Sequence, residues 1–171
     1  RQTAGSSGTQ TAGLMYGGYV QSSPNHSALM EQWNGSSWTE TTDLNTARND
    51  LSGSPAGTTT AALAVLGSQS GTLVSNVENW NGSAWTEVSE VNTARGSVGS
   101  SGTSTSALMY GGFNPGNTAV TESWDGSSWT EVADLATARQ GVAGAGVNGL
   151  TALAISGYTT TNVTNTEEWT F

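Results

Sequence analysis

Three pairs of acidic side chains have a type and spacing that could support acid–base chemistry. Each pair follows a tryptophan by a few residues, and the pairs are Glu40 with Asp43, Glu87 with Glu90, and Glu131 with Asp134. Two carboxylates suffice for glycoside hydrolysis, one as a general acid and the other as a base or nucleophile. The pairs recur along the chain, however, whereas a catalytic pair normally occurs once. We therefore predict a structural role for them and no catalytic residue, with a polysaccharide-acting glycosidase of propeller fold as the alternative.

Other site chemistry is limited by the residue types that the chain lacks. There is no cysteine, and the only histidine is His26, in a polar loop. A zinc or copper site would have a single nitrogen ligand, and no Asp-x-Asp-x-Asp-Gly loop is present to bind calcium. The sequence therefore predicts no metal site and no cofactor.

The charge balance restricts the possible partners. The chain has no lysine, four arginines and 13 carboxylates, which give a net charge of −9 and a pI near 4.1. Such a surface does not neutralise a phosphate backbone, so we expect no nucleic-acid partner. No apolar run approaches the length of a membrane span, so we expect no membrane insertion. Because the first residue is Arg1 rather than methionine, we expect the chain to be a piece of something longer.

A six-residue unit, Trp-Asn-Gly-Ser-Ser-Trp, recurs along the chain with small changes. It begins with Trp33, Trp80 and Trp124 and ends with Trp38, Trp85 and Trp129; the seventh tryptophan, Trp169, stands where a fourth unit would begin. Asn-Gly between strand-like segments favours a hairpin with a type I′ turn, in which both central residues have positive φ. Each unit therefore predicts a turn with a tryptophan on either arm.

The tryptophan units belong to a longer repeat. Thr-Ala-Arg recurs at Arg48, Arg95 and Arg139, and Arg1 is in step with them, at spacings of 47, 47 and 44 residues. This divides a single domain, 1–171, into repeats 1–47, 48–94, 95–138 and 139–171. A period in the mid-forties is typical of a four-stranded propeller blade.

Each repeat has the same order of predicted strands. A stretch of tiny residues, as at 4–8, is followed by a short apolar run, as at 63–67, which we expect to be covered on both faces. A variable loop leads to a third strand ending in Glu-x-Trp, and an outer strand, as at 85–91, carries alternating Thr and acidic residues. Pro55 weakens the first strand of repeat two. The prediction is an all-β fold of 15 strands, with a fourth repeat lacking its outer strand.

The arginines and the Glu-x-Trp glutamates occur once in every repeat. The glutamates are Glu31, Glu78, Glu122 and Glu167. We predict a semi-buried ion pair that fixes blade register, such as Arg48 with Glu31 or with Glu78. Asp43, Glu90 and Asp134 are the alternative partners.

These features together resemble the kelch repeat. An arginine opens the first strand, a Gly-Gly pair such as Gly17-Gly18 follows the second, Glu-x-Trp ends the third, and a tryptophan opens the fourth. The resemblance implies a β-propeller, as a four-bladed ring, part of a larger ring, or half of a ring completed by a second copy. Copper-radical oxidases that resemble kelch propellers need a tyrosine–cysteine crosslink, which this chain cannot form. The tryptophan unit also resembles kelch-like arrays of tail or fibre proteins of marine bacteriophages.

The function expected from these observations is that of a non-enzymatic structural or adhesive module on a virion fibre or another extracellular surface. Its partners would be other copies of itself or the rest of a longer chain, and a cell-surface glycan or protein. Binding would use the variable loops at 19–26, 69–74, 113–117 and 158–161. The candidate ligand-binding residues in them are Tyr19, His26, Phe113 and Tyr158; the same aromatic side chains could instead cover the blade ends.

Overall fold

The computed structural model describes residues 1–22 and 24–170. Within these residues the chain forms 17 strands and no helix, and hence no helix that could span a membrane. Four antiparallel sheets are arranged as four consecutive blades of a β-propeller. The all-β class and the β-propeller fold predicted from the sequence are confirmed.

The strands of the blades follow the repeats in order. Blade 1 contains β1 (Gly5–Thr9), β2 (Ala12–Tyr16), β3 (Met30–Trp33) and β4 (Trp38–Glu40). Blade 2 contains β5 (Ser52–Gly53) and β6 (Ala62–Val65), then a separate hairpin of β7 (Ser68–Gln69) and β8 (Thr72–Leu73), and finally β9 (Val77–Trp80) and β10 (Trp85–Val88). Blade 3 contains β11 (Gly99–Gly102), β12 (Ala107–Tyr110), β13 (Thr121–Trp124) and β14 (Trp129–Glu131). Blade 4 contains β15 (Ala143–Ala145), β16 (Thr151–Tyr158) and β17 (Asn162–Thr170), paired in that order.

The strand count differs from the prediction by one hairpin. The 15 strands of the blades are present, and β7 and β8 are additional strands in the segment predicted as the variable loop at 69–74. Strand β5 is only two residues long and ends before Pro55, which cannot donate a hydrogen bond to the sheet. The outer strands end at Glu40, Val88 and Glu131, several residues earlier than predicted.

The tryptophan unit forms the hairpin that was expected, but with a different turn. Trp33 pairs with Trp38 across the hairpin, and the intervening loop is held by the Asn34 side chain, whose Oδ1 accepts from the amides of Ser36 and Ser37 at 2.9 and 3.0 Å. Only Gly35 has positive φ (94°), so the type I′ assignment was wrong. An asparagine side chain that caps its own turn does not need positive φ at the asparagine.

The tiny residues of the inner strands are required by the close approach of neighbouring blades. A Cβ added to Gly53 would overlap the Ser6 carbonyl oxygen on blade 1 and the Tyr16 hydroxyl. Strands β1 and β5 are in contact at this point, and backbone atoms cannot move aside as a flexible side chain can.

We expect Gly53→Ala to lower the free energy of unfolding by about 2 kcal/mol, within the usual range for overpacking. The matched control is Gly116→Ala. Gly116 does not have positive φ, and nothing lies within 4 Å of its added Cβ. That change should be neutral or slightly stabilising, because alanine restricts the unfolded chain. Urea unfolding of both variants measures the difference; equal effects would contradict the steric explanation.

The hydrophobic core lies between the blades, in three clusters. Alternate residues of each second strand face opposite neighbours: Leu14 and Tyr16 face blade 2, whereas Ala62 and Ala64 of blade 2 face blade 1. The same alternation places Leu63 and Val65 against blade 3. Tyr16 meets Trp85 edge to face, with ring centroids 4.9 Å apart. Burial raises the pKa of the Tyr16 hydroxyl, which donates to the Leu63 carbonyl oxygen at 2.7 Å.

The prediction that every second strand is covered on both faces is wrong for blade 4. Leu153 and Ile155 on β16 are 37% and 36% exposed, whereas their equivalents in blades 2 and 3 are fully buried. The reason is positional: no blade packs against this face of blade 4 within the described part of the chain.

Candidate functional site

The ends of the four inner strands meet at one opening of the propeller, which we call the axial mouth. Four isolated bridges occur at equivalent places in the repeats: Gln2 with Tyr19, Asn49 with Ser68, Gly96 with Phe113, and Gln140 with Tyr158. A cavity of about 230 Å³ lies beside these bridges. It is lined by the residue that follows the first partner of each bridge, namely Thr3, Asp50, Ser97 and Gly141. The axial mouth comprises these residues and the bridged partners Tyr19, Ser68, Phe113 and Tyr158. It therefore receives side chains from all four repeats.

The backbone at the axial mouth is unusual. Thr3, Asp50 and Ser97 have positive φ (49°, 54° and 52°), like the equivalent Gly141 (61°). Non-glycine residues rarely adopt this conformation, and it persists only where the surroundings impose it. Here the turns are linked, because the Asp50 amide donates to Thr3 Oγ1 (3.3 Å) and the Gly141 amide donates to the Ser97 carbonyl oxygen (2.8 Å). This cavity was not predicted from the sequence; the available signal was that its lining residues lie two positions after each recurring arginine.

One acid of the axial mouth lies in a partly desolvated position. Partial burial raises the pKa of the Asp50 carboxyl above its usual range. Asp50 is in none of the ion pairs formed by the described residues. The side chain offers hydrogen-bond acceptors to a polar ligand in the cavity.

Two of the predicted ligand-binding residues are exposed aromatic side chains on neighbouring blades. Phe113 is 39% exposed and Tyr158 is 43% exposed. Their loops are joined by Asn117, whose Nδ2 donates to the carbonyl oxygens of Tyr158 (3.1 Å) and Thr159 (2.6 Å). Repeat two has Ser68 at the equivalent position, so the aromatic residues do not continue through every blade.

The other two predicted residues are joined by the bridge between Tyr19 and His26. Tyr19 is half-buried, and His26 lines an open groove of about 580 Å³ between this loop and the β7–β8 hairpin. Its Nδ1 lies 3.5 Å from Asn25 Oδ1, a weak contact. Ser23, within the predicted 19–26 loop, lies outside the described residues. Within the part of the chain that is described, no hydrogen bond joins this pair to the Phe113 and Tyr158 loops.

The recurring arginines form ion pairs with the glutamates of their own repeats. Arg48 Nη1 lies 3.1 Å from Glu78 Oε1, and Arg95 Nη1 lies 2.5 Å from Glu122 Oε1. Arg1 with Glu31 and Arg139 with Glu167 repeat the arrangement. The structure thus selects Glu78 over Glu31 as the partner of Arg48. Desolvation lowers the pKa of the Arg48 guanidinium, and Glu78 partly opposes this shift.

An asparagine on the preceding repeat completes each central ion pair. Asn45 donates from its backbone amide (2.7 Å) and its Nδ2 (3.0 Å) to Glu78 Oε2, and Asn92 donates to Glu122 in the same way. This role was not predicted from the sequence, although an asparagine lies three residues before both Arg48 and Arg95. Repeat three has Ala136 there, and only its backbone amide reaches Glu167.

At least one carboxylate of each outer-segment pair accepts a hydrogen bond within its own repeat. Asp43 Oδ1 accepts from the Met30 amide and Asp134 Oδ1 from the Thr121 amide, each at 3.1 Å, while Glu90 accepts from the Ser75 hydroxyl. They are not the partners of the arginines, so the alternative assignment was wrong. Among the described residues, no group of three His, Asp or Glu side chains is arranged to hold a metal ion.

Comparisons with known proteins show the fold and do not identify a family. No protein-family model matches the sequence, and no curated protein matches it. Many chains of solved structures match, including the structure of YjhT, with a TM-score of 0.77 and 12% sequence identity. The match covers 94% of this chain and 63% of that chain, so the present chain spans less than two thirds of the length of YjhT.

Proposed function

We propose that this chain is a non-enzymatic, kelch-like adhesive module of a virion fibre or another extracellular surface, and that its axial mouth binds a neutral glycan. The observation that supports binding is the pair of exposed aromatic side chains, Phe113 and Tyr158, on loops tied together by Asn117. Flat aromatic rings contribute large contact areas at little entropic cost, and sugar rings present apolar faces to them. Asp50 supplies acceptors for hydroxyl groups in the adjoining cavity.

The charge of the chain narrows the class of glycan. With a net charge of −9, the protein repels anionic polysaccharides and favours neutral ones. The kelch-like repeats support the adhesive assignment through their loops, which differ in length and sequence between repeats while the Arg, Glu and Trp positions recur. Variation on a constant scaffold is typical of recognition surfaces.

Binding of immobilised mannose- and galactose-terminated oligosaccharides by the full chain tests this proposal. We expect Tyr158→Ala and Phe113→Ala each to weaken binding by about 10-fold, which corresponds to about 1.4 kcal/mol. The matched control is Trp38→Ala, which removes an exposed aromatic side chain on blade 1 that lies outside the axial mouth; this variant should bind as the native chain does.

Two results would contradict the proposal. Absence of binding to every neutral oligosaccharide, or unchanged binding by both axial-mouth variants, would remove the axial mouth as the glycan site. Release of reducing sugar during incubation would favour the glycosidase instead, and the acids to replace would then be Glu131 and Asp134.

A further inference from the structure

The first and last blades each present an uncovered face, which we call the two flanks. The blade 4 flank carries Leu153 and Ile155, and the blade 1 flank carries Trp33 and Trp38. Leu153 is equivalent to Leu63 and Leu108 in the other blades. In each of these three blades, an alanine of the second strand pairs with the Glu-x-Trp tryptophan, and the leucine is the next residue. Those two leucines are fully buried, whereas Leu153 is 37% exposed.

The blade 1 flank departs from the repeat in the same way. Trp38 is 49% exposed, whereas the equivalent Trp85 and Trp129 are 5% and 7% exposed. Glu31 is also more open than its equivalents: its side chain is 35% exposed, against 1% for Glu78 and none for Glu122. Both buried glutamates accept from an asparagine of the preceding repeat, and no asparagine in the described residues does so for Glu31.

The two flanks are of the two kinds that pack together between consecutive blades. Inside the chain, a leucine–tyrosine or leucine–valine face always packs against a face that carries tryptophans. Blade 1 presents Tyr16 to Trp85, and blade 3 presents Tyr110 to Trp169 at a centroid distance of 5.3 Å. The blade 4 flank is an aliphatic face of the leucine type, and the blade 1 flank is a face that carries tryptophans. Among the described residues, however, no core cluster, hydrogen bond or ion pair joins blade 4 to blade 1.

We propose that a segment of about two further blades of this repeat occupies the gap between the flanks and closes the propeller. The number of added blades is taken from the match with YjhT. The four blades superpose on 63% of the YjhT chain, which leaves 37% of that chain, the length of about two blades of this size. The first added blade covers Leu153 and Ile155 with a tryptophan pair. The last one covers Trp38 with a leucine–tyrosine face and supplies an asparagine to Glu31.

A second copy of the same four blades fits this gap poorly. Head-to-tail interfaces close into a ring only when the rotation per subunit divides a full turn; otherwise they extend into a filament. Two copies of this chain would make a ring of eight blades, whereas the uncovered 37% of YjhT leaves room for only about two blades beyond these four. The occupant is therefore a pair of blades.

The test compares the native chain with a chain of six repeats, built by inserting a second copy of 48–138 between residues 138 and 139. Every junction keeps Thr-Ala-Arg, and neither flank changes. We expect Leu153→Asp to shift the Tm of the native chain by no more than about 1 °C and that of the six-repeat chain by about 5 °C or more, because Leu153 becomes buried. Acrylamide quenching of tryptophan fluorescence should also fall when Trp38 is covered. Leu108→Asp, at the buried equivalent, should destabilise both chains.

A five-repeat chain with only 95–138 duplicated is the control for blade number and should keep Trp38 accessible to acrylamide. The proposal is overturned if the six-repeat chain does not fold, since closure must stabilise it, or if Leu153→Asp has the same small effect in both chains. It is also overturned if light scattering finds the native chain as a discrete dimer that Leu153→Asp dissociates. That result would make a second copy the occupant.

Discussion

Replacing Arg95 with methionine should lower the free energy of unfolding by about 3–5 kcal/mol, the range found when one partner of a buried ion pair is removed. Arg95 and Glu122 are both fully buried, and the guanidinium also donates to the carbonyl oxygens of Gly111 (3.0 Å) and Thr93 (2.9 Å). The substitution removes these hydrogen bonds and leaves the Glu122 carboxylate in the core without a cation. The loss should appear as a lower urea midpoint with an unchanged m-value.

The chain contains its own control for this experiment. Arg1 makes the same pair with Glu31 at a partly exposed site. Exposed ion pairs contribute between nothing and about 1 kcal/mol, so Arg1→Met should have a small effect. The double variant Arg95→Met with Glu122→Gln should recover part of the lost stability, because glutamine keeps an acceptor for the Asn92 amide without an unpaired charge. Equal losses for Arg95→Met and Arg1→Met would contradict the role of burial.

The fold could be predicted because every repeat gives the same local signals. The apolar run before a glycine, the Glu-x-Trp strand and the tryptophan hairpin each recur, so the errors of single segments cancel over four repeats. The β7–β8 hairpin was missed because it occurs in one repeat only, in the loop where sequence varies most. Its turn residues Ser70 and Gly71, both with positive φ, were a local signal that no other repeat supported.

The site was predicted less completely than the fold. The exposed aromatic residues were named from loop position alone, but the cavity beside them is formed by Thr3, Asp50, Ser97 and Gly141, which differ in type from repeat to repeat. Their shared property is backbone conformation, and positive φ at threonine or serine is not signalled by residue type. The choice of Glu78 as the partner of Arg48 was likewise left open, since pairing within or between blades depends on how the blades pack.

A second large loss of stability is expected at one of two tryptophans that occupy equivalent repeat positions and differ in burial. Trp129 is 7% exposed, and its ring packs at a tilt against Trp124 with a centroid distance of 5.2 Å. Its Nε1 donates to the Ser89 carbonyl oxygen of the preceding repeat at 3.1 Å. Replacing it with alanine removes a large side chain from the core between blades 2 and 3. We expect a loss of about 3–5 kcal/mol in urea unfolding, as for other buried aromatic residues.

Trp38→Ala should cost far less, no more than about 1.5 kcal/mol, because what it loses is mainly the tilted ring contact with Trp33. The comparison holds residue type and repeat position constant and changes only whether another blade covers the ring. If Trp38→Ala costs more than this, urea unfolding of the variant at two protein concentrations distinguishes the two possible causes. A large, concentration-dependent loss at Trp38 would mean that another copy of the chain covers this face in solution. A large loss that does not change with concentration would mean that blade 4 itself reaches blade 1, and that the four blades already form a closed ring.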